Sequence, residues 1–150
     1  MNPNSTILLI EDSDEDLVLM RFAFQRAGIL NPVIEARDGR QAIDYLTGVG
    51  PYADRERYPL PCLIITDLHM PRLDGLEFLE WLQKRHEFAR VPRIMISNTA
   101  DQTDPAKARE RGCCAFFVKP AAFKALLDLV KHLDEEWISQ HCPHKIETLR

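Results

Sequence analysis

The chain lacks the excess of positive charge that is typical of proteins that bind nucleic acids. Its 150 residues include 19 Lys and Arg against 23 Asp and Glu, which gives a net charge of -4. No basic tract and no patch of basic and aromatic residues offsets this deficit. Because contacts from Lys and Arg to phosphates supply much of the affinity of such complexes, we expect no binding to DNA or RNA.

Long apolar runs are also missing at the amino terminus. That terminus has no positive flank, and its first apolar run covers only residues 7–10 before acidic residues begin. A signal peptide needs an apolar stretch of about 7–15 residues, and a membrane-spanning helix needs about 20. We therefore expect a protein that stays in the cytoplasm and has no membrane partner.

Cysteine is sparse, with only Cys62, Cys113, Cys114 and Cys142 in the chain. Their spacing does not suggest a disulfide framework, and thiols in the cytoplasm are normally reduced, so we expect four reduced cysteines. The tail His141-Cys142-Pro143-His144 offers zinc-ligand residue types, but no second ligand pair accompanies it. A solvated tail is the simpler interpretation.

Short apolar runs alternate with amphipathic segments along the chain, and 45% of the residues are hydrophobic. The runs predict five strands, at 7–10, 33–36, 62–66, 93–97 and 115–118. Helical spacing follows each strand, and the last helix presents one apolar face, formed by Leu126, Leu129, Val130, Leu133 and Trp137. This alternation predicts a parallel α/β sheet with helices on both faces.

One connection is long and rich in Gly and Pro. It runs over residues 47–61, and its middle, Asp54-Arg55-Glu56-Arg57, is strongly charged. Charged residues between Gly and Pro are typical of exposed loops. We therefore predict a solvated loop here.

Polar residues follow four of the predicted strands. Glu11 and Asp12 follow the first strand, Asp67 follows the third, Ser97 ends the fourth and Lys119 follows the fifth. Right-handed crossovers bring the carboxyl ends of parallel strands to one edge, where ligands bind. Each residue alone could instead cap a helix, form a turn or lie on the surface. Their occurrence on four strands favours a common site.

Three carboxylates at one edge would repel one another strongly. Two like charges about 4 Å apart repel by roughly 4 kcal/mol at an effective dielectric near 20. A divalent cation held by oxygen ligands would relieve this repulsion, and Mg2+ suits a site with few carboxylates. An ionised carboxylate beside a metal and a lysine can itself act as a nucleophile that accepts a phosphoryl group.

These residues resemble the receiver domain of two-component response regulators. The resemblance covers about residues 7–133. It is carried by four motifs in order: Ile10-Glu11-Asp12, Thr66-Asp67-Leu68-His69-Met70-Pro71 with Asp74-Gly75, Ile94-Met95-Ile96-Ser97, and Phe117-Val118-Lys119-Pro120. The resemblance implies a flavodoxin-like fold, with five parallel strands in the order 2-1-3-4-5.

The resemblance also implies a role for each site residue. Asp67 would be the phosphoacceptor, and Mg2+, with Mn2+ or Ca2+ as substitutes, would be held by Glu11, Asp12, Asp67 and the backbone carbonyl of His69. Lys119 and Ser97 would bind the phosphoryl group, and Ser97 with Phe116 would form the switch pair. The bond between Lys119 and Pro120 would be cis.

The resemblance further implies how the chain works in signalling. Residues 1–138 would form the receiver domain and 139–150 a carboxyl-terminal extension, with no output domain. The chain would be no enzyme beyond Mg-dependent autophosphorylation and autodephosphorylation. Its partners would be a sensor histidine kinase, such as a bacterial phytochrome, or a histidine phosphotransfer protein. A homodimer would form through the fourth helix, fifth strand and fifth helix, with Phe117, Trp137 and Ile138 as candidate contributors. Trp137 could equally pack on the core of its own chain.

Two other functions are compatible with parts of this pattern. A phosphatase could turn over phosphate esters through an aspartyl phosphate, but Glu11-Asp12-Ser13-Asp14 lacks the Asp-x-Asp form of haloacid-dehalogenase-type enzymes. A dimeric scaffold could act without phosphorylation. A phosphorylation-dependent switch is favoured over a scaffold because the chain has all five residues that such a site needs: Glu11, Asp12, Asp67, Ser97 and Lys119.

Overall fold

The computed structural model describes residues 5–98 and 104–142. Five parallel strands form one sheet in the order β2-β1-β3-β4-β5. The strands are β1 (Ile7–Ile10), β2 (Val33–Ala36), β3 (Leu63–Thr66), β4 (Arg93–Ser97) and β5 (Ala115–Val118). The helices are α1 (Asp14–Arg26), α2 (Gly39–Thr47), α3 (Gly75–Gln83), α4 (Asp104–Glu110) and α5 (Phe123–Leu133). The predicted fold class and strand order are confirmed.

The helices cover both faces of the sheet. Ile7 and Leu9 of β1 belong to a hydrophobic cluster that includes buried residues of α1 and α5. Leu8 and Ile10 belong to a second cluster, which includes buried residues of α2 and α3. Successive side chains of a strand point to opposite faces, so a strand covered on both sides must be apolar throughout. This is why β1 and most of β3 and β4 are continuous apolar runs.

Short polar residues fix where the helices begin. The hydroxyl of Ser13 accepts a hydrogen bond of 3.2 Å from the backbone N–H of Asp16, as the Ser-x-x-Asp pattern predicts. The carboxylate of Asp74 accepts from the N–H of Glu77, whose own carboxylate accepts from the N–H of Asp74. Each cap satisfies backbone donors that have no partner within the helix.

The long connection after α2 is anchored rather than freely solvated. The Arg55 guanidinium is half-buried and donates hydrogen bonds to the carbonyls of Tyr45, Leu46, Tyr52 and Tyr58. Two of these carbonyls lie in the last turn of α2, where backbone acceptors lack helical partners. The prediction of a solvated loop is therefore wrong for Arg55, which ties the connection to α2.

The carboxyl-terminal helix continues beyond α5. A π-helical turn over Asp134–Ile138 and a short α-helical segment, Ser139–His141, bring the chain back to the sheet. There the fully buried Cys142 forms a disulfide with Cys62, with 5.3 Å between their Cα atoms. The expectation that all four cysteines are reduced is wrong for this pair, because the fold brings together residues that are 80 positions apart. Cys113 and Cys114 are free, as expected.

The proposed extension and dimer face are only partly described. Residues 143–150 lie outside the described residues, and the division at 138/139 stays a prediction. Phe117 and Trp137 are half-buried against the core, whereas Ile138 is fully buried and cannot contribute to a surface. Within residues 5–98 and 104–142, no helix has both the length and the apolar character needed to cross a bilayer.

Candidate functional site

Backbone hydrogen bonds place the predicted site residues at the carboxyl edge of the sheet. The N–H of Asp67 donates to the carbonyl of Ile10 over 3.0 Å, which holds Asp67 beside the end of β1. The N–H of Lys119 donates to the carbonyl of Ser97 over 2.6 Å, which joins the ends of β4 and β5. The regular spacing of a parallel ladder therefore determines which side chains meet.

Three carboxylates converge at this edge. Glu11, Asp12 and Asp67 each offer an oxygen that lies within 4.8 Å of the others. Glu11 and Asp67 are buried, and Asp12 is exposed. At an effective dielectric of about 20, two unit charges at this separation repel by about 3–4 kcal/mol, so the cluster is costly without a compensating charge. A hard cation with oxygen ligands fits this donor set.

Burial alters the acidity of the two buried carboxyls, Glu11 and Asp67. Burial raises the pKa of Glu11 from 4.5 to about 7, and the nearby charge of Asp67 adds to this effect, while Lys119 opposes it. Burial also raises the pKa of Asp67, against the influence of the Leu68 N–H and of Lys119. That N–H donates to Oδ1 of Asp67 over 2.7 Å and fixes the orientation of the carboxylate. The metal-free site therefore disfavours full ionisation.

Lys119 is the cation of the site. Its Nζ donates to Oε1 of Glu11 over 2.7 Å and to Oδ2 of Asp16 over 2.9 Å, and its side chain is 6% exposed. Burial opposes the charge on the ammonium, but the hydrogen bonds with these two carboxylates outweigh it and raise the pKa of Lys119. Lys119 is thus a fixed positive charge within the acidic cluster.

Asp16 is a site residue that sequence reasoning missed. The Ser-x-x-Asp pattern explained it as a helix-start residue, and its backbone N–H plays that part. Its carboxylate, however, accepts from Lys119 and, over 3.2 Å, from Nδ2 of Asn98. One feature of the sequence could have identified Asp16 as a site residue: the first turn of α1 begins at the sheet edge where the predicted site lies. A carboxylate in that turn can face the site.

The motif after Asp67 shapes the site through the backbone. Gly75 donates its N–H to the carbonyl of Leu68 over 2.8 Å. A Cβ at Gly75 would collide with the backbone carbonyl oxygen of Asp67 and approach the Cε of Met95 to 2.8 Å. Only glycine allows α3 to begin this close to the phosphoacceptor predicted at position 67.

The remaining predicted residues are placed around this centre. Ser97 is fully buried at the end of β4, and the half-buried Phe116 lies opposite Met95 on the neighbouring strand. Their switch role stays a prediction, as does metal ligation by the carbonyl of the exposed His69. The predicted cis bond before Pro120 is wrong, because the described residues contain no cis peptide bond. The trans form is intrinsically favoured even before proline.

Comparison with known proteins agrees with this architecture. Residues 7–131 match the response regulator receiver domain family. The response regulator Rcp1 of Synechocystis is 29% identical over 91% of this chain and 91% of its own length. The structure of its Mn2+-bound form aligns with a TM-score of 0.80, at 28% identity, and covers 89% of this chain and 94% of that one.

Two further structures are similar over most of their length. The phosphorylated cyanobacterial phytochrome response regulator RcpA has a TM-score of 0.83 and 28% identity, with 91% of this chain and 96% of that one covered. RPA3017, a response regulator in red light signalling of R. palustris, has a TM-score of 0.83 and 31% identity, with 89% and 93% covered. The motifs, the strand order and these matches lead to one conclusion: the chain belongs to the response regulator receiver domain family and is related to phytochrome response regulators.

Proposed function

We propose that this chain is a phosphorylation-dependent switch in which Asp67 accepts a phosphoryl group from a phosphohistidine. The donor would be a sensor histidine kinase or a histidine phosphotransfer protein. One observation carries the proposal: Asp67 lies with two other carboxylates within 4.8 Å and in the field of a buried ammonium. Anionic crowding beside a fixed cation suits a site that binds a metal and then a phosphoryl group.

The transfer needs no general base, because the nucleophile is an ionised carboxylate. An oxygen of Asp67 would attack the phosphorus, the new O–P bond would form, and the P–N bond to the donor imidazole would break with its electron pair left on nitrogen. The Leu68 N–H orients the attacking carboxylate. Lys119 would donate hydrogen bonds to the phosphoryl oxygens, and the Ser97 hydroxyl would donate another.

The donor set is suited to Mg2+, with Mn2+ or Ca2+ as substitutes. Glu11, Asp12, Asp67 and the backbone carbonyl of His69 would hold the ion, and all four supply the hard oxygen ligands that such cations prefer. When bound, the ion would neutralise negative charge on the carboxylates and on the incoming group. The Mn2+-bound form of Rcp1, a relative of this chain, is in keeping with a divalent ion here.

The negative charge added at Asp67 would change the conformation of the protein surface. Phosphorylation adds about -1.5 to -2 charges at Asp67, which would draw Ser97 and Lys119 toward it and allow Phe116 to turn inward. Ser97 ends β4, Phe116 lies within β5, and Lys119 directly follows β5 in the connection to α5. Val118 at the edge of β5 is 55% exposed, so this face offers an apolar surface for a partner or a second copy of the chain.

The kinase partner would be a bacterial phytochrome, because two related proteins are described as a phytochrome response regulator and as a regulator in red light signalling. The chain would act in the cytoplasm as a signalling domain, with residues 1–138 as the receiver unit and 139–150 as an extension. It would turn over only its own aspartyl phosphate. Faster phosphotransfer from a phytochrome kinase than from an unrelated histidine kinase would support this pairing, and equal rates would oppose it.

Intact-mass spectrometry after incubation with acetyl phosphate and Mg2+ tests the proposal. The wild-type chain should gain the mass of one phosphoryl group, and Asp67→Asn should gain none. Asp128→Asn, which removes an exposed carboxylate on α5, should behave like the wild type. An unmodified wild-type chain would refute the proposal and favour a phosphorylation-independent scaffold. Steady phosphate release from varied esters would favour a phosphatase.

Dimerisation is tested separately, by size-exclusion chromatography with and without beryllofluoride, a mimic of the phosphoryl group. If the face of α4, β5 and α5 joins two copies, Val118→Lys should reduce the dimer fraction. Val18→Lys, at a position on α1 that is 66% exposed, is the matched control and should leave the dimer fraction unchanged. Equal effects of the two variants would contradict the proposed dimer face.

A further inference from the structure

Asp16 occupies a position that its helix-start role does not explain. One oxygen of its carboxylate, Oδ2, accepts both from Nζ of Lys119 over 2.9 Å and from Nδ2 of Asn98 over 3.2 Å. The Asp16 side chain is only 16% exposed. Burial acts to raise the pKa of this carboxyl, but the hydrogen bonds from Lys119 and Asn98 together outweigh burial and lower the pKa. An ionised, mostly buried carboxylate of this kind interacts strongly with its partners.

The ammonium of Lys119 rests between two carboxylates, and neither of them is the phosphoacceptor. It bonds to Glu11 and Asp16, and the ion pairs of the described residues include none between Lys119 and Asp67. In the proposed function the Glu11 oxygens become metal ligands. Asp16 is then the carboxylate that keeps hold of the ammonium, so Nζ of Lys119 would exchange its hydrogen bond with Asp16 for bonds to phosphoryl oxygens if it moved toward Asp67 during transfer.

We propose that Asp16 is a positioning residue that competes with the incoming phosphoryl group for Lys119 and thereby sets the rate of phosphorylation. This inference rests on the proposed function. Asp16 would act through Lys119, because no hydrogen bond joins Asp16 and Asp67 among the described residues. Asn98 supports the exchange, because its amide still donates to Asp16 after the ammonium has moved, so the carboxylate keeps a hydrogen-bond partner.

Asn98 also gives Asp16 a link to the switch. It directly follows Ser97, whose hydroxyl would move toward the phosphoryl group. Asn98 is bonded directly to Ser97, the last residue of β4, so a movement of Ser97 would also displace Asn98. Asp16 thus connects the first turn of α1 to the ends of both β4 and β5.

Replacement of Asp16 by asparagine should loosen the hold on Lys119 without changing the shape of the side chain. A charge-assisted hydrogen bond is about twice as strong as a neutral one, and we expect phosphorylation of Asp16→Asn by acetyl phosphate at saturating Mg2+ to be about five-fold faster than in the wild type. The rate would be read from the intact mass over time. Thermal unfolding of each variant would verify that it is folded.

Two further variants separate this role from a general loss of charge. Asp14 lies in the same turn of α1, is exposed and pairs with Arg37, so Asp14→Asn removes an equal charge without touching Lys119. Asp16→Glu keeps a carboxylate at this position, on a side chain that is one methylene longer. Both variants should be phosphorylated within about two-fold of the wild-type rate, a margin typical of changes that leave the key hydrogen bond in place.

The outcomes distinguish this inference from the proposed function. If the wild type is phosphorylated on Asp67 and Asp16→Asn is faster while the other two variants are not, the inference is supported. A rate for Asp16→Asn that equals that of Asp14→Asn, or lies below the wild-type rate, overturns it and leaves the proposed function intact. A wild type that accepts no phosphoryl group refutes the proposed function itself.

Discussion

The metal-free protein should become less stable as the pH rises from about 4.5 to about 7. Burial raises the pKa of Glu11 from 4.5 to about 7. Between these values the folded chain keeps a proton on this carboxyl that the unfolded chain has released. The folded state then binds more protons, so its stability decreases with rising pH. The contribution is fully present below pH 4.5 and is lost as the pH passes about 7.

The size of the effect follows from the two pKa values. The difference between 4.5 and about 7 corresponds to at most about 3 kcal/mol. The exposed Asp12 lets water reach the rim of the cluster, so we discount this figure to about 1–2 kcal/mol. For a chain of this size, 1 kcal/mol shifts the Tm by about 2–4 °C, and we expect a decrease of about 2–8 °C.

The assay is thermal unfolding in EDTA between pH 5 and pH 8, compared with Glu11→Gln. Glutamine has nearly the same shape and does not titrate, so the difference between the two proteins isolates Glu11 together with the groups coupled to it, Asp67 and Lys119. Excess Mg2+ should restore stability to the wild type at pH 7.5, because a cation binds the ionised carboxylates. The reasoning would be refuted if the Tm of the wild type and the Tm of Glu11→Gln changed in parallel with pH. It would also be refuted if the wild type gained stability relative to Glu11→Gln as the pH rises.

Two further predictions concern the parts of the fold that hold the site in place. Cys142→Ser opens a disulfide that closes a loop of 80 residues, and urea unfolding should show a loss of about 4–5 kcal/mol on the chain-entropy account, while Cys114→Ser should change little. An equal stability of Cys142→Ser and the wild type under oxidising conditions would contradict the disulfide. Arg55→Ala leaves four carbonyls without this donor and should cost about 2–3 kcal/mol in the same assay. The exposed Arg57 has a cation–π contact with Tyr58, so Arg57→Ala should cost less, about 0.5–1 kcal/mol. Equal losses for the two arginine variants would show that Arg55 is not an anchor.

The parallel α/β fold class and the acidic centre could be predicted from local sequence patterns, whereas the strand order was implied only by the family resemblance. Apolar runs such as Ile7–Ile10 mark strands that are covered on both faces. The residues that directly follow them must lie at the carboxyl edge of a parallel sheet, so Glu11, Asp67 and Lys119 could be placed in one site before any distance was known.

Other features could not be predicted because they depend on long-range side-chain geometry. Asp16 meets Lys119 across 103 positions, and Cys62 meets Cys142 across 80. Arg55 is chemically an ordinary loop arginine, and only the fold shows that backbone carbonyls surround its guanidinium. The bond before Pro120 was assigned by family resemblance alone, which says nothing about the local energy balance between isomers.

The most direct test of the central claim is to locate the phosphoryl group chemically. After acetyl phosphate and Mg2+, borohydride reduces an aspartyl phosphate to homoserine, which peptide mass spectrometry assigns to one position. We expect homoserine at position 67 in the wild type and none in Asp67→Asn. Reduction products at Glu11, Asp12 or Asp16 instead, or no product in a folded wild-type chain, would contradict it.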